Sequence, residues 1–182
     1  MIISIDPGIN NCGISVIDIN NHFKVQQTVL VKNTRKFTDA EKEVEEKYGN
    51  RTVKVQAIID KLEELYSTYK DQGISAVVIE APFYNTLTPS AYGSLLEIIF
   101  AIKYSFVIKY NLNFKLIEPL LVKKFFANNH LAKKEVIKQF LLNKKANGSI
   151  LIDIDIETLS EHEIDSIAIG YIYYMNLNKF DV

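Results

Sequence analysis

The chain has 182 residues, 48% of them apolar, with 10 Phe and 10 Tyr. That is enough for one ordinary domain, 1–182, with a sizeable core. A single cysteine, Cys12, excludes an internal disulfide and a cysteine-rich zinc site, and fits a reducing interior. Net charge is −1, so any anionic partner has to be met by local rather than overall charge.

The first element is an apolar run, Ile2-Ile3-Ser4-Ile5, ending in Asp6 and the turn Pro7-Gly8. It reads as a buried strand with a carboxylate at its C-terminal end. Gly13 to Ile19 reads as a second strand, Asn20-Asn21 as a turn, and Phe23 to Val31 as a third strand, which makes an antiparallel meander. Residues 32–51 are charged and poor in large apolar groups, and read as a loop or a partly helical excursion. Val55, Ile58, Ile59, Leu62, Leu65, Tyr66 and Tyr69 then recur at helical spacing, and Gly73 ends that helix. A second apolar strand, Ala76-Val77-Val78-Ile79, ends in Glu80.

Ser90 is placed to cap a helix from about 91 to 109 that is apolar on nearly every face. The core of this segment, 95–108, is short of the ~20 residues that span a bilayer, and no signal peptide is evident, so no membrane role is expected. A short strand, 113–117, is broken at Glu118-Pro119. Two basic helices follow, at about 120–127 and 132–145. The last helix starts at Ser160, where Ser160-Glu161-His162-Glu163 has the pattern of a capping box. A meander followed by alternating helices and strands predicts an α/β domain with a mixed five-stranded sheet, the meander first and parallel strands after it, flanked by helices.

Charge is distributed unevenly. Lys103 to Lys145 holds ten lysines and two glutamates, whereas Leu151 to Val182 holds seven acids and one lysine. A basic stretch beside an acidic one fits lysines that hold phosphates and carboxylates that hold metal. A solvated lysine-rich face is the plainer alternative.

Four short motifs carry chemistry. Taken singly, each has an ordinary structural reading. Asp6 can start a turn, Glu80 can be a solvated strand end, His162 can be a surface residue, and Asp165 near a helix N-terminus is favoured by the helix dipole. Together they are more specific. Ile3-Ser4-Ile5-Asp6-Pro7-Gly8 with Asn11 and Gly13 resembles the opening strand and turn of the RuvC-type Holliday junction resolvases, in the RNase H-like superfamily. Val78-Ile79-Glu80-Ala81-Pro82-Phe83 resembles their second motif. Pro119 to Lys124 with Lys133-Lys134-Glu135-Val136 resembles their basic region, and His162-Glu163-Ile164-Asp165-Ser166-Ile167-Ala168 their last. The likeness covers about residues 1–31 and 52–175.

The resemblance implies an RNase H-like fold and a structure-selective endonuclease that resolves four-way and related branched DNA by paired nicks, leaving 5′-phosphate and 3′-hydroxyl ends. It implies metal-site and catalytic residues at Asp6, Glu80, His162 and Asp165. These would hold Mg²⁺ or Mn²⁺, two per site about 4 Å apart, with Asp6 bridging. Many members have Asp where this chain has His162; imidazole lowers the negative charge, suits Mn²⁺ better, and admits a general-base role. His162 and Asp165, at i and i+3, share a helix face. Glu163 is assigned to the capping box.

For DNA contact the expected residues are Phe83, Tyr84, Lys123, Lys124, Lys133 and Lys134, with Phe83 a stacking platform or, alternatively, a loop anchor. A homodimer through helix 91–109 would place two sites on a two-fold junction. A cytoplasmic setting, in a bacterium or phage-infected cell, is expected. The alternatives are a less selective nuclease of the same fold and an inactive junction-binding protein. Two-domain ATPases sharing the first motif need a longer chain.

Overall fold

The structure is a computed structural model that describes residues 1–84, 86–87, 89–127 and 134–180, without the side chains of 127, 134 and 178–180. Its sheet is built from β1 (Ile2–Asp6), β2 (Asn11–Asp18), β3 (Lys24–Lys32), β4 (Ala76–Glu80), β5 (Asn113–Ile117) and β6 (Leu151–Ile152). The order is β5-β4-β1-β2-β3-β6. β1, β2 and β3 form the expected antiparallel meander. β4 joins β1 in parallel, and β5 joins β4 in parallel. Among the described residues the sheet therefore has six strands rather than the five expected. The added β6 is two residues long, too short to leave a periodic signal, and pairs in parallel with the start of β3.

Helices cover both faces. α2 (Asn50–Tyr69) and α3 (Pro89–Ile102) lie on one; α4 (Pro119–Ala127), α5 (Lys134–Ala146) and α6 (Glu161–Phe180) lie on the other. Strand alternation divides the core accordingly. Ile3, Ile5, Val77 and Ile79 point toward α2 and α3, with Ile58, Leu62, Leu65, Ile98 and Ile102. Ile2, Ile17, Ala76 and Val78 point toward α6, with Ile164, Ile167, Ala168 and Tyr171. Each buried Ile or Leu of this kind contributes roughly 1.5–3 kcal/mol.

Two segments sharpen or correct the sequence reading. The charged stretch after β3 takes the helical of its two expected forms, as α1 (Asp39–Tyr48), with none of its residues buried. Its support is local. Thr38 and Glu41 form a reciprocal capping box, and Arg35 binds both oxygens of Glu41. The exposed Glu41 carboxyl is thereby held at about 2. The long apolar helix starts at Pro89, so Ser90 lies inside it and does not cap it. Beyond Ile102 it continues as a π-helical stretch, Lys103–Ile108. At 20 residues the whole is long and apolar enough to cross a membrane by length and composition. One face of it is nevertheless core, through Ile98, Ile102 and Phe106.

Candidate metal and junction site

β1 and β4 run in parallel with Ile5 opposite Ile79 as their last pair. Asp6 and Glu80 are the next residue on each strand. Because Ile2 and Ser4 on β1, and Ala76 and Val78 on β4, face α6, alternation turns both acids to that same side. Two acids distant in sequence are thus set side by side at adjacent strand ends.

The remaining two acid-motif residues come from the first turn and a half of α6. Ser160 caps the helix. Its hydroxyl accepts from the Glu163 amide at 3.3 Å, and the Glu163 carboxylate accepts from the Ser160 amide at 3.0 Å and from its hydroxyl at 2.7 Å. The assignment of Glu163 to the cap matches this geometry. His162 is aimed at the strand ends: its Nδ1 lies 2.6 Å from Oδ2 of Asp6. Asp6 itself is only 8% exposed, so the imidazole meets a carboxylate with little water around it.

Glu80 reports on the charge of the cluster. Its carboxyl is pushed up to about 7, first by burial, then by the charges of Asp6 and Asp165, with Lys123 pulling the other way. Asp6, Glu80, Asp165 and Lys123 therefore share one electrostatic environment. Among the described residues no three His, Cys, Asp or Glu side chains stand close enough together to enclose an ion. The donor set nonetheless fits a hard divalent cation. It offers carboxylate oxygens, one imidazole, and buried negative charge that a cation would neutralise.

Of the expected DNA-contacting residues, Lys123 is near enough to act on the Glu80 charge, and Phe83 and Tyr84 follow Glu80 closely in the chain. Phe83 and Tyr84, in the loop after β4, are 61% and 56% exposed. Phe83 therefore does not anchor its loop in the core, whereas Tyr84 rests edge-on against Tyr92 of α3. Lys123 and Lys124 are exposed on α4. Lys133 lies outside the described residues, and Lys134 opens α5 with its side chain outside them. A cavity of about 210 Å³ adjoins Asp165 between α5 and α6, lined by Glu135, Lys138, Leu159, Glu161 and Ile164.

Sequence reasoning named Gly8 and Gly13 within the first motif but missed what they do, along with Asn33: they let α6 and the turn after β1 come close to the sheet. A Cβ on Gly13 would stand 1.9 Å from the His162 carbonyl oxygen, so only glycine lets the helix N-terminus come this close to β2. Gly8 serves the turn in the same way, since its Cβ would meet the Asn11 carbonyl at 2.2 Å. Asn33, 4% exposed, pins the same turn by donating to the carbonyls of Ile9 and Lys54. The signal available was the run of small residues on alternate positions, Gly13 and Ser15.

No protein-family model matches this chain, and no curated protein matches it. Solved structures do. The chain is similar to Thermus thermophilus RuvC in complex with a Holliday junction substrate, with a TM-score of 0.66 and 18% identity over 97% of this chain and 94% of that one. It is similar to the yeast mitochondrial Holliday junction resolvase, with a TM-score of 0.60 and 14% identity over 98% and 82% of the two chains. It is also similar to a fowlpox virus resolvase solved with substrate Holliday junction DNA, with a TM-score of 0.56 and 15% identity over 97% and 99%. The chain thus shares its fold, over nearly its whole length, with these three solved resolvases.

Proposed function

We propose that this chain is a metal-dependent, structure-selective DNA endonuclease that cuts four-way and related branched junctions by paired nicks, leaving 5′-phosphate and 3′-hydroxyl ends. The observation that carries the reading is that Asp6 and Glu80 end adjacent strands side by side, with His162 of α6 against Asp6 and the charge of Asp165 felt at Glu80. The likeness to resolvases solved with junction DNA supports the substrate class.

In this reading Asp6, Glu80, His162 and Asp165 hold Mg²⁺ or Mn²⁺, with two ions per site. Bound there, such ions supply Lewis-acid chemistry, making water nucleophilic and neutralising the leaving oxygen. The chain does the rest. Asp6 is oriented by His162, and Glu80 is kept within reach of the same charge by its position on β4. Lys123 and Lys124 meet phosphates, and Phe83 offers an exposed face for an unpaired base, a contact worth ~1–3 kcal/mol.

Paired nicks call for two sites related by a two-fold axis. Leu96, Phe100, Tyr104 and Ile108 form an exposed apolar stripe along α3 and its π-helical continuation, with Phe100 71% and Tyr104 65% exposed. A second copy packed on this stripe would supply the partner site. The charged α1 excursion, packed against α2, is the feature behind a second reading in which flaps or forks are also cut.

The test is a labelled mobile four-way junction incubated with Mg²⁺, Mn²⁺ or EDTA, beside three-way and linear duplexes. Symmetric nicks in metal, lost in EDTA and lowered more than about 100-fold by Asp6→Asn, are expected. Cleavage by Asp6→Asn near the wild-type rate overturns the reading. Comparable cutting of all branched substrates favours the broader nuclease.

A further inference from the structure

Three hydroxyl residues form a row across the sheet one step inside Asp6. Ser4 pairs with Ser15 across β1 and β2, and Ser15 pairs with Thr28 across β2 and β3. Ser4 is the residue just inside Asp6 on the α6 face. Ser15 is likewise just inside Gly13, the partner of Asp6.

α6 lies over this row along one line of residues, His162, Ser166 and Gly170, spaced by four. The His162 carbonyl sits over Gly13, and Gly170 sits against Ile17 and Ser4. Between them Ser166 makes the bonds. Its hydroxyl donates to the Glu163 carbonyl at 2.7 Å. That commits its only proton, so in the 2.6 Å contact between the Ser15 and Ser166 hydroxyls the donor is Ser15. The Ser4 hydroxyl donates to the Ser166 carbonyl at 2.6 Å. Thr28 donates to the Glu163 carboxylate at 3.1 Å, the same carboxylate that closes the helix cap.

Ser4, Ser15 and Ser166 are fully buried. A helix can pack on a sheet through alanine and isoleucine alone, without the cost of drying hydroxyl groups. Here the hydroxyls are directional. They fix the rotation and height of the α6 turn that carries His162 and Asp165, relative to the strand that carries Asp6. Hydrophobic contact, which has no direction, leaves both free to slide.

We infer that Ser4, Ser15, Thr28 and Ser166, acting with the Glu163 carboxylate, are positioning residues that hold the α6 half of the metal site in register with the β1 half. The inference rests on the proposed metal site. Its test separates the two by reading metal binding directly, in protein without DNA, by Mn²⁺ electron paramagnetic resonance.

Ser15→Ala with Ser166→Ala removes both ends of one buried bond, so neither hydroxyl is left without its partner. The expected result is about tenfold weaker Mn²⁺ binding and about tenfold slower single-turnover cleavage, with junction affinity in Ca²⁺ unchanged. Thr28→Val, isosteric and only half-buried, covers the case in which the double variant does not fold; about threefold weaker Mn²⁺ binding is expected of it. Ile58→Val, on the opposite face of the sheet, lowers stability without moving Mn²⁺ affinity. Wild-type Mn²⁺ affinity in whichever of the two variants folds overturns the inference. Asp6→Asn is run beside them. If it too binds Mn²⁺ normally, the metal-site reading fails; if it alone loses the ion, only the positioning role fails.

Discussion

The Nδ1 atom of His162 lies 2.6 Å from Oδ2 of Asp6, although 156 residues separate them in the chain. The contact ties the first strand to the last helix, and gives the imidazole a defined orientation at a nearly dry carboxylate. It also limits what His162 can do: the nitrogen facing Asp6 is occupied by that carboxylate, so a role toward metal or water falls to Nε2.

His162→Ala removes this partner of Asp6 and should slow junction cleavage by roughly 10–100-fold. His162→Asp restores a carboxylate at the position and should shift metal preference from Mn²⁺ toward Mg²⁺. Titrating cleavage against each metal separates the two variants. Equal metal dependence in wild type and His162→Asp would exclude His162 from the site.

Gly13→Ala and Gly170→Ala should differ in severity. At Gly13 the new methyl meets the His162 backbone, with the carbonyl oxygen at 1.9 Å and the carbonyl carbon at 2.3 Å. At Gly170 the nearest atom, at 2.5 Å, is the end of the Ile17 side chain, which can rotate. Gly13→Ala is expected to cost about 1–3 kcal/mol and to depress cleavage beyond what its lowered Tm explains. Gly170→Ala should cost less. Thermal melts with parallel cleavage rates check both.

Cys12 should be chemically silent in the native protein. Burial, reinforced by the charge of Asp6, pushes its thiol up to about 12. Alkylation at pH 8 should therefore proceed only from the unfolded state, and is read by mass spectrometry against denaturant concentration. The linkage has a definite sign. Above an ordinary thiol pKa of about 8.5 the unfolded chain gives up a proton that the folded chain keeps, so this group lowers stability as pH climbs from there toward 12.

Phe100→Glu with Tyr104→Glu should convert the proposed dimer into a monomer. Both rings are exposed and stacked on one another, with centroids 6.4 Å apart, and neither contributes to the core. Light scattering should show the mass halved while the circular dichroism spectrum stays unchanged. Single nicks should persist after paired nicking is lost. A wild-type mass for the double variant would remove this stripe from consideration as the interface.

Phe83→Ala should reduce junction affinity or cleavage by an amount equivalent to ~1–3 kcal/mol and leave cutting of nicked linear duplex unaffected. The Tyr84 ring packs on Tyr92, so Tyr84→Ala should cost stability as well.

How much of this was legible in the sequence follows from the range of each interaction. Asp6 and Glu80 were legible because each ends a short, largely apolar run, and such runs bounded by turn residues read as strands. The Ser160–Glu163 cap was legible because all its atoms lie within one helical turn. α1 was legible only as one of two alternatives, although Thr38 and Glu41 have the same spacing, because no apolar periodicity marks the bounds of a helix with nothing buried. β6 was invisible because two residues have no period. The hydroxyl row needed the register of three strands, and register is set by the fold as a whole. Ser4, Ser15 and Thr28 are unremarkable until they are placed opposite one another.

The turn between β2 and β3 has a bearing on how the chain comes to fold. His22 and Phe23 both adopt left-handed backbone, with φ of 46° and 50°, an unfavourable conformation for side chains of this size. Phe23 is nevertheless fully buried, with its ring edge-on to Tyr171 and tilted against Tyr174 of α6. The hairpin at the start of the chain is therefore held shut by aromatic rings near its end. During synthesis the meander waits until α6 has been made before its second turn is secured, and such long-range closure makes for slow folding. The proposed nuclease competence would then arrive only with α6, since the docking of that helix both completes the acidic cluster and locks the strands beneath it.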